Sequence, residues 1–219
     1  MKKNLTLLNA AMILIALAPL IYVLIIWNSI PSSIPIHFNA NLKPDRMGTR
    51  NDLLLASGML AGVSVLILFL CENIQRFDPK RRNAPVSFTF VKLAVGLVVF
   101  MSALNFILVL SSVRSTLLIN QFLFPLLGLL FAFLGNYMNN IKPNFFVGFR
   151  LPWTLSDDEN WRKTHHLAGK LWFWGGLAFA IISLFLPSKP AFTFFICIVI
   201  VMAIIPIGYS YNLFRTKTS

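Results

Sequence analysis

Three histidines are the side chains in this sequence that are best suited to acid–base or metal chemistry. His165 and His166 are neighbours just before a long apolar run, and His37 lies in a proline-rich stretch that also holds Asp45 and Asp52. A metal site needs three or four ligands at compatible spacing, and adjacent side chains on a helix diverge by about 100°. We therefore expect no metal, no cofactor and no catalytic residue, although acid–base work by one of the pair stays open.

The elements that position these histidines must be membrane spans. Of the 219 residues, 57% are hydrophobic and only 12% are charged, and the mean hydropathy is +0.75, which is not typical of a soluble domain. A helix needs about 20 apolar residues to cross about 30 Å of hydrocarbon. Six stretches satisfy this, at residues 5–27, 53–71, 88–110, 117–138, 167–186 and 191–211. The sequence thus predicts an all-α, polytopic membrane protein with about six transmembrane helices in the lipid bilayer.

The basic residues predict how these spans are oriented. Thirteen of the 19 Lys and Arg residues fall in the two termini and in the second and fourth connections, where Lys80, Arg81 and Arg82 form one cluster. Five fall on the opposite side, so the positive-inside rule makes both termini cytoplasmic. Because this charge lies in short loops between apolar runs, the net charge of +12 is a topology signal, and we expect no direct nucleic acid binding.

The connections between the spans are too short for a separate soluble domain. The longest polar ones have roughly 25 to 30 residues, which is too few for a core of their own. We predict a single membrane bundle in two parts. Residues 1–75 would hold the first two spans and an external IPIHFN loop, and residues 76–219 would hold the other four spans and the cytoplasmic GNY, PWTL and KTHH motifs.

The first connection reads NSIPSSIPIHFNANLKPDRMGTRND and is predicted to lie outside the cell. Its prolines oppose a helix, whereas its Asn, Asp and Gly residues favour turns, so the sequence predicts an ordered loop or a short extended hairpin. The single histidine has too few partners for a metal site, and it suits either a structural role or the binding of an external ligand. The candidate external recognition residues are His37, Phe38, Asn39, Pro44 and Asp45.

The fourth connection is predicted to lie in the cytoplasm and to change character at Ser156. Before it, KPNFFVGFRLPW combines Pro and Gly with aromatic residues, a composition typical of an interfacial or re-entrant loop. Ser156 and Glu159 have the spacing of a capping box, so a helix should begin near Asp157. No proline intervenes before Pro187, so this helix is free to continue into the fifth span.

Helical spacing places Trp161, His165, Ala168 and Trp172 in one stripe of this predicted helix. Three interpretations of the region stay open, namely an aromatic and polar belt at the membrane interface, a partner-recognition surface and a catalytic group. We favour the first two, because no Ser, Cys or carboxylate has a recognisable catalytic spacing to either histidine. The candidate cytoplasmic recognition residues are Asn144, Phe146, Gly148, Arg150, Pro152, Trp153, Thr154, Trp161, Lys163, Thr164 and His165.

Two stretches of the sequence resemble a known family, the SdpI-type bacterial immunity proteins. GNYMNNIKPNFFVGFRLPWTLSDDENWRKTHHLAGKLWFWGG, residues 135–176, resembles the family's run of GNY, KPN, GFR, PWTL and KTH motifs. IPIHFNANLKPDRMGTR, residues 34–50, resembles the domain of unknown function that precedes it. One departure is Leu42, where relatives commonly have glycine, so we expect Asn41 to make the turn before Pro44.

The resemblance implies a multipass protein of the bacterial plasma membrane that protects the cell against a secreted, membrane-active peptide toxin. It also implies, from at least one related system, a receptor that holds a transcriptional repressor at the cytoplasmic face. The external residues would then meet the toxin and the cytoplasmic ones an internal partner, by binding and without enzyme chemistry. A transporter or exporter and a membrane enzyme are the alternatives. The lack of Asp or Glu at mid-depth in the spans speaks against proton-coupled transport.

Overall fold

The computed structural model describes residues 2–77, 87–114 and 117–218, and it is mostly helical. The predicted topology cluster of Lys80, Arg81 and Arg82 lies outside the described residues. The helices are α1 (Lys2–Ile25), α2 (Arg50–Phe77), α3 (Phe88–Val113), α4 (Leu117–Met138), α5 (Pro152–Ser156), α6 (Asp158–Ser183) and α7 (Ser188–Thr218). Between α1 and α2 lie a 3-10 turn at Trp27–Ser29 and two strands, β1 (Ile34–Phe38) and β2 (Pro44–Gly48).

The prediction of an all-α polytopic membrane protein is confirmed, with the addition of one small antiparallel hairpin. Within the described residues, α1, α2, α3, α4 and α7 are long and apolar enough to cross a membrane. The predicted fifth span, residues 167–186, falls largely in the second half of α6, which is not one of these five helices and runs without a break from the KTHH motif into the bundle. The count of six spans and the cytoplasmic position of the termini stay predictions.

The long helices pack in two groups that meet along α3 and α4. The first group, α1, α2 and α3, closes around Met12, Ala16, Leu68, Ala94 and Val98. The second group consists of α4, α6 and α7, and α6 makes its most extensive contacts with α4. Because α3 packs against α1 and α2 as well as α4, it joins the two predicted parts of the chain, and the boundary at residue 75 stays a prediction.

Helices α4 and α6 touch backbone to backbone, because glycines line both sides of the contact. On α4, a Cβ added to Gly128 would lie 2.6 Å from the backbone nitrogen of Ala180. On α6, a Cβ added to Gly176 would lie 2.5 Å from the backbone nitrogen of Ala132. Gly135 and Gly169 make the same kind of approach two turns nearer the GNY end. Small residues at such a seam let two membrane helices approach closely, so α4 fixes the position of α6.

Helix α7 is tied to α6 at a point where its own backbone ladder is interrupted. Pro206 has no N–H, so the carbonyl of Met202, four residues earlier, loses its helical donor. The indole Nε1 of Trp172 on α6 donates to that carbonyl at 3.0 Å. A buried carbonyl without a donor is costly, so Pro206 and Trp172 together lock the two helices at this level.

Candidate functional site

The first candidate region is the hairpin, residues 34–48, which confirms the predicted extended structure of the first connection. Its strands pair Ile34 with Gly48 and His37 with Arg46, with an irregular register around His37. Nδ1 of His37 lies 2.6 Å from Oδ1 of Asp45, and these side chains are 62% and 41% exposed. The predicted external residues therefore do meet, as a solvent-facing His–carboxylate pair.

The remaining external candidates form the tip and the base of the hairpin. The side-chain oxygen of Asn39 accepts from the backbone N–H groups of Asn41 and Lys43, which closes the tip. Phe38 is half-buried and packs against the second helix group, whereas Pro44 is exposed. Of the five external candidates, His37, Pro44 and Asp45 are thus the exposed ones.

Leu42 corrects the expectation that Asn41 would make the turn. Leu42 itself has a positive φ of 56°, a conformation that favours glycine and is strained for a branched side chain. Its side chain is only 6% exposed and packs with Phe124, Phe179 and Ala191 of the second helix group. Burial of an apolar side chain offsets the backbone strain, which explains why a residue other than glycine is tolerated here.

The hairpin is anchored to both groups of helices. Ile34, on β1, is 1% exposed and packs with Val23, Leu53 and Val109 of α1, α2 and α3. Leu42, at the other end of the hairpin, packs on the second group. The hairpin therefore bridges the two groups at one end of the bundle.

The second candidate region, which we call the cap, comprises residues 139–166 and closes the opposite end of the bundle. Helix α6 begins at Asp158, as predicted, but its cap differs from the predicted capping box. Oδ1 of Asp157 accepts from the backbone N–H groups of Glu159 and Asn160 at 2.9 and 3.3 Å. Ser156 ends α5 and donates back to the carbonyl of Trp153 instead. The unforeseen helix α5 displaces the start of α6 by one residue, so a carboxylate takes the capping position.

His165 is the most constrained side chain of the cap. It is 1% exposed and stacks on Trp161 with 4.0 Å between ring centroids. Its Nδ1 lies 2.8 Å from the carbonyl of Trp161, and its Nε2 accepts from the backbone N–H of Phe149 at 3.0 Å. A carbonyl can only accept and an amide N–H can only donate, so the partners assign the neutral Nδ1–H tautomer. Burial lowers the pKa of His165, which favours the same neutral form.

Gly148 allows the loop to approach this histidine. Its φ of +109° lies in a region that residues with a side chain rarely adopt, and an added Cβ would strike Nε2 of His165. Because the next residue is Phe149, the same turn aims the Phe149 N–H at the ring. The glycine of the GFR motif is therefore required both for the backbone conformation and for the contact with His165.

Two further polar side chains of the cap form hydrogen bonds with backbone groups of its loop. Oδ1 of Asn144 accepts from the N–H groups of Phe146 and Val147 at 2.8 Å each. The Thr154 hydroxyl donates to the carbonyl of Phe149 at 2.6 Å and accepts from the Leu151 N–H at 2.9 Å. Both side chains are buried, so the KPN and PWTL motifs hold the loop in shape rather than presenting these groups to a partner.

The cap is also fastened to its neighbours by donors on its aromatic and amide side chains. The Trp161 indole donates to the carbonyl of Ile141 at 2.8 Å. Nδ2 of Asn160 donates to the Ser210 carbonyl of α7 at 2.9 Å, and the Thr164 hydroxyl donates to Oδ1 of Asn160 at 3.0 Å. Trp153 reaches the same serine, donating to its hydroxyl at 3.0 Å. The cap is therefore a single folded unit with the last turns of α7.

Ion pairs on the outside of the cap reinforce this attachment. Nζ of Lys217 lies 2.8 Å from Asp157 and 2.7 Å from Glu159, and Lys163 lies 2.8 Å from the other oxygen of Glu159. Hydrogen bonds from Lys163 and Lys217 lower the pKa of Glu159 to about 2, and the bond from Lys217 lowers the pKa of Asp157. Both carboxylates thus remain ionised at neutral and mildly acidic pH.

The candidate cytoplasmic residues divide according to their exposure. Asn144, Thr154, Trp161, Thr164 and His165 are buried. Gly148, Trp153 and Lys163 are half-buried, and Phe146, Arg150 and Pro152 are exposed. Any recognition role of the cap would therefore fall to its exposed edge, where Phe145 and Phe146 are 41% and 43% exposed.

Comparison with known families agrees with this division of the chain into two regions. Residues 140–210 match the model of the SdpI/YfhL protein family, and residues 14–61 match a domain of unknown function, DUF1648. This confirms the resemblance predicted from the motifs. No match to the chain was found among curated proteins or among solved structures.

The SdpI/YfhL segment coincides with a physical unit of the structure. It begins in the cap, includes α5 and α6, and ends at Ser210, the residue of α7 that Trp153 and Asn160 both contact. The DUF1648 segment likewise contains the complete hairpin between parts of α1 and α2. Each matched segment therefore contains one of the two candidate regions and parts of the helices that hold it.

Sequence reasoning missed the contribution of α7 and of α4 to the SdpI/YfhL segment. Ser210 and Lys217 carry no motif that marks them as partners of the cap, although Pro206 did signal an interrupted helix that needs outside support. The seven-residue spacing of Gly128 and Gly135 on α4, repeated by Gly169 and Gly176 on α6, was a readable signal for close helix packing.

The buried polar side chains of the cap are better suited to holding its structure than to catalysis. Both ring nitrogens of His165 are engaged by backbone groups, so neither is available to take a proton from a substrate or to bind a metal ion. His166 points away and lies 3.3 Å from Oδ1 of Asn139, as the divergence of adjacent helical residues predicts. In the described part of the chain, no three His, Cys, Asp or Glu side chains are grouped to hold a metal ion.

Proposed function

We propose that this protein is an immunity protein of the bacterial plasma membrane that protects the cell against a secreted, membrane-active peptide toxin. The observation that carries the proposal is the hairpin, which bridges both helix groups and exposes His37 and Asp45 at the end opposite the cap. The match of residues 140–210 to the SdpI/YfhL family supports it. On this proposal the protein acts by binding, without enzyme chemistry.

The hairpin suits recognition of a peptide that arrives from outside. Its His–carboxylate pair offers both a donor and acceptors, and Met47, 56% exposed, offers an adaptable apolar contact beside them. The positive-inside rule supports the external position of this end, because the opposite end carries more of the basic residues. A toxin captured here would be held away from the lipid that it must enter to kill.

The same protein would report toxin binding to the cytoplasm through the bundle. The hairpin contacts both helix groups at one end, and the cap contacts α3, α4 and α7 at the other. A ligand that favours one arrangement of the two groups would thereby alter the exposed edge of the cap. We propose this edge, Phe145, Phe146 and Arg150, as the surface that binds a cytoplasmic partner such as a transcriptional repressor.

Protection from killing is the direct test of the proposal. The gene is expressed in bacteria that are sensitive to a panel of secreted membrane-active peptides, and survival is measured at confirmed membrane levels of the protein. We expect one peptide to be neutralised by the wild type but not by the double variant His37→Gln, Asp45→Asn. Lys189→Gln, which changes an exposed residue at the same end, is the matched control and should protect fully. Unchanged killing by every peptide would refute the immunity role.

The transport alternative is distinguished from binding by whether protection depends on the proton gradient. A binding protein should protect in the presence of a proton uncoupler, whereas a proton-coupled exporter should lose protection.

The repressor role is tested by pull-down from detergent, comparing the wild type with Phe146→Ala. Loss of a specific DNA-binding protein from the variant's eluate would support it, and an identical set of proteins in both eluates would contradict it.

A further inference from the structure

Helix α6 carries a row of basic side chains that takes no part in the buried hydrogen bonds of the cap. Arg162, His166 and Lys170 recur every four residues, so they lie on one face of the helix, and all three are exposed. They line a groove of about 540 Å³ between α6 and α7, together with Asn139, Lys163, Leu167 and Tyr209.

The charges of this row are not neutralised by the protein. In the described part of the chain, neither Arg162 nor Lys170 forms an ion pair with a carboxylate. The nearby acids Asp157 and Glu159 are already paired with Lys163 and Lys217. Asp158 lines a separate recess with Arg162 and makes no ion pair with it. The groove thus presents uncompensated positive charge beside an apolar helix.

The position of the row along α6 matches the polar boundary of a membrane. From Arg162 to Lys170 the helix rises about 12 Å, which is enough to cross one headgroup layer. One turn beyond Lys170 lies Trp174, 64% exposed, and Tyr209 lines the same groove from α7. Exposed Trp and Tyr side chains are enriched where headgroups meet hydrocarbon, so the cations lie at the level of lipid phosphates.

We propose that the groove formed by Arg162, His166 and Lys170 with Asn139 and Tyr209 binds the phosphate headgroup of an anionic phospholipid. The guanidinium and ammonium groups would bind the phosphate, and the Tyr209 hydroxyl and the Asn139 amide would donate to its oxygens or to the adjoining glycerol. The acyl chains would run along the apolar part of α6 beside Trp174. This site is independent of toxin binding at the hairpin.

The test is lipid retention by the full-length protein in detergent, measured by native mass spectrometry with phosphatidylglycerol or phosphatidylcholine. We expect the wild type to retain phosphatidylglycerol preferentially. Lys170→Gln should lower the ratio of lipid-bound to lipid-free protein about fivefold, the factor that corresponds to about 1 kcal/mol per basic residue at a membrane surface. Lys142→Gln removes an exposed lysine of the same connection outside the groove and should leave the ratio unchanged.

Two results would overturn the proposal, namely equal retention of the two lipids by the wild type or equal losses in Lys170→Gln and Lys142→Gln. Inorganic phosphate at the concentration of the lipid should not displace phosphatidylglycerol, and displacement would assign the groove to a free anion instead. If Lys170→Gln does not fold, Arg162→Gln and His166→Gln make the same comparison, because both change exposed side chains of the groove.

Discussion

The hairpin and the cap are the two regions whose motifs stand out in the sequence, yet the structure uses them in opposite ways. In the hairpin, the residues that could do chemistry, His37 and Asp45, are exposed and bond to each other. In the cap, the corresponding residues are buried, and His165 and Thr154 bond to loop backbone. A sequence motif rich in polar residues can therefore form either an exposed surface or a buried scaffold that holds a loop in shape. The exposure of its side chains distinguishes the two. Substitutions in the cap should lower stability, whereas most of those in the hairpin should not.

Exchange of glycine for alanine tests this contrast with the largest expected effect. Gly148→Ala must hold a positive φ of 109°, which costs about 1–3 kcal/mol, and its Cβ must also displace His165. Gly48→Ala, in the hairpin, requires no positive φ, and its Cβ would meet only side-chain atoms, those of Ile36 and Asp52. We expect a large fall in the melting temperature in detergent for the first and a small one for the second. Equal falls in the melting temperature would contradict the distinction between a buried scaffold and an exposed surface.

Leu42 is the exception within the hairpin, so it tests what anchors that region. Leu42→Gly relieves strain of about 1–2 kcal/mol but removes a buried side chain worth about 2–5 kcal/mol, so the variant should be less stable than the wild type. Leu42→Ala loses most of the same packing and keeps the strain, so it should be less stable again. The order of the three melting temperatures is the measurement. A stabilised Leu42→Gly would show that strain outweighs packing at the turn.

Most of the fold was readable from the sequence, because apolar length alone marks a span. The start of α6 near Asp157 and the extended hairpin followed from local rules of capping and proline placement. The identity of the capping residue did not, since a five-residue helix after a proline has no clear sequence signal. The backbone partners of His165 were equally unreadable, because Phe149 meets it only through the fold. The sequence therefore located the candidate regions, and tertiary packing determined which of their side chains remain exposed.

Two threonine substitutions test the same comparison with a smaller expected loss of stability. Thr154→Val keeps the shape of the side chain but leaves the Leu151 N–H and the Phe149 carbonyl without their partner, which costs about 1–3 kcal/mol for a buried group. Thr49→Val, beside the hairpin, removes an exposed hydroxyl bond to Asp52 and keeps the backbone bond to the same carboxylate. The expected loss there is smaller, because water replaces the hydroxyl bond at an exposed carboxylate. Denaturant unfolding in detergent should rank Thr154→Val below Thr49→Val, and the reverse order would place the buried network elsewhere.

The histidines give the smallest and most specific difference, a dependence of stability on pH. Because burial lowers the pKa of His165, the unfolded chain binds a proton more readily than the folded one as the pH falls through the ordinary histidine value of about 6.5. The stabilisation is complete above that pH and is lost below it, since a protonated Nε2 would oppose the Phe149 N–H. The wild type should therefore melt at a lower temperature at about pH 5.5 than at about pH 7.5, and His165→Gln should reduce the difference. His37→Gln and His166→Gln, which change exposed rings, are the controls and should preserve it. A pH dependence that survives in His165→Gln but disappears in His37→Gln would move the sensitive group from the cap to the hairpin.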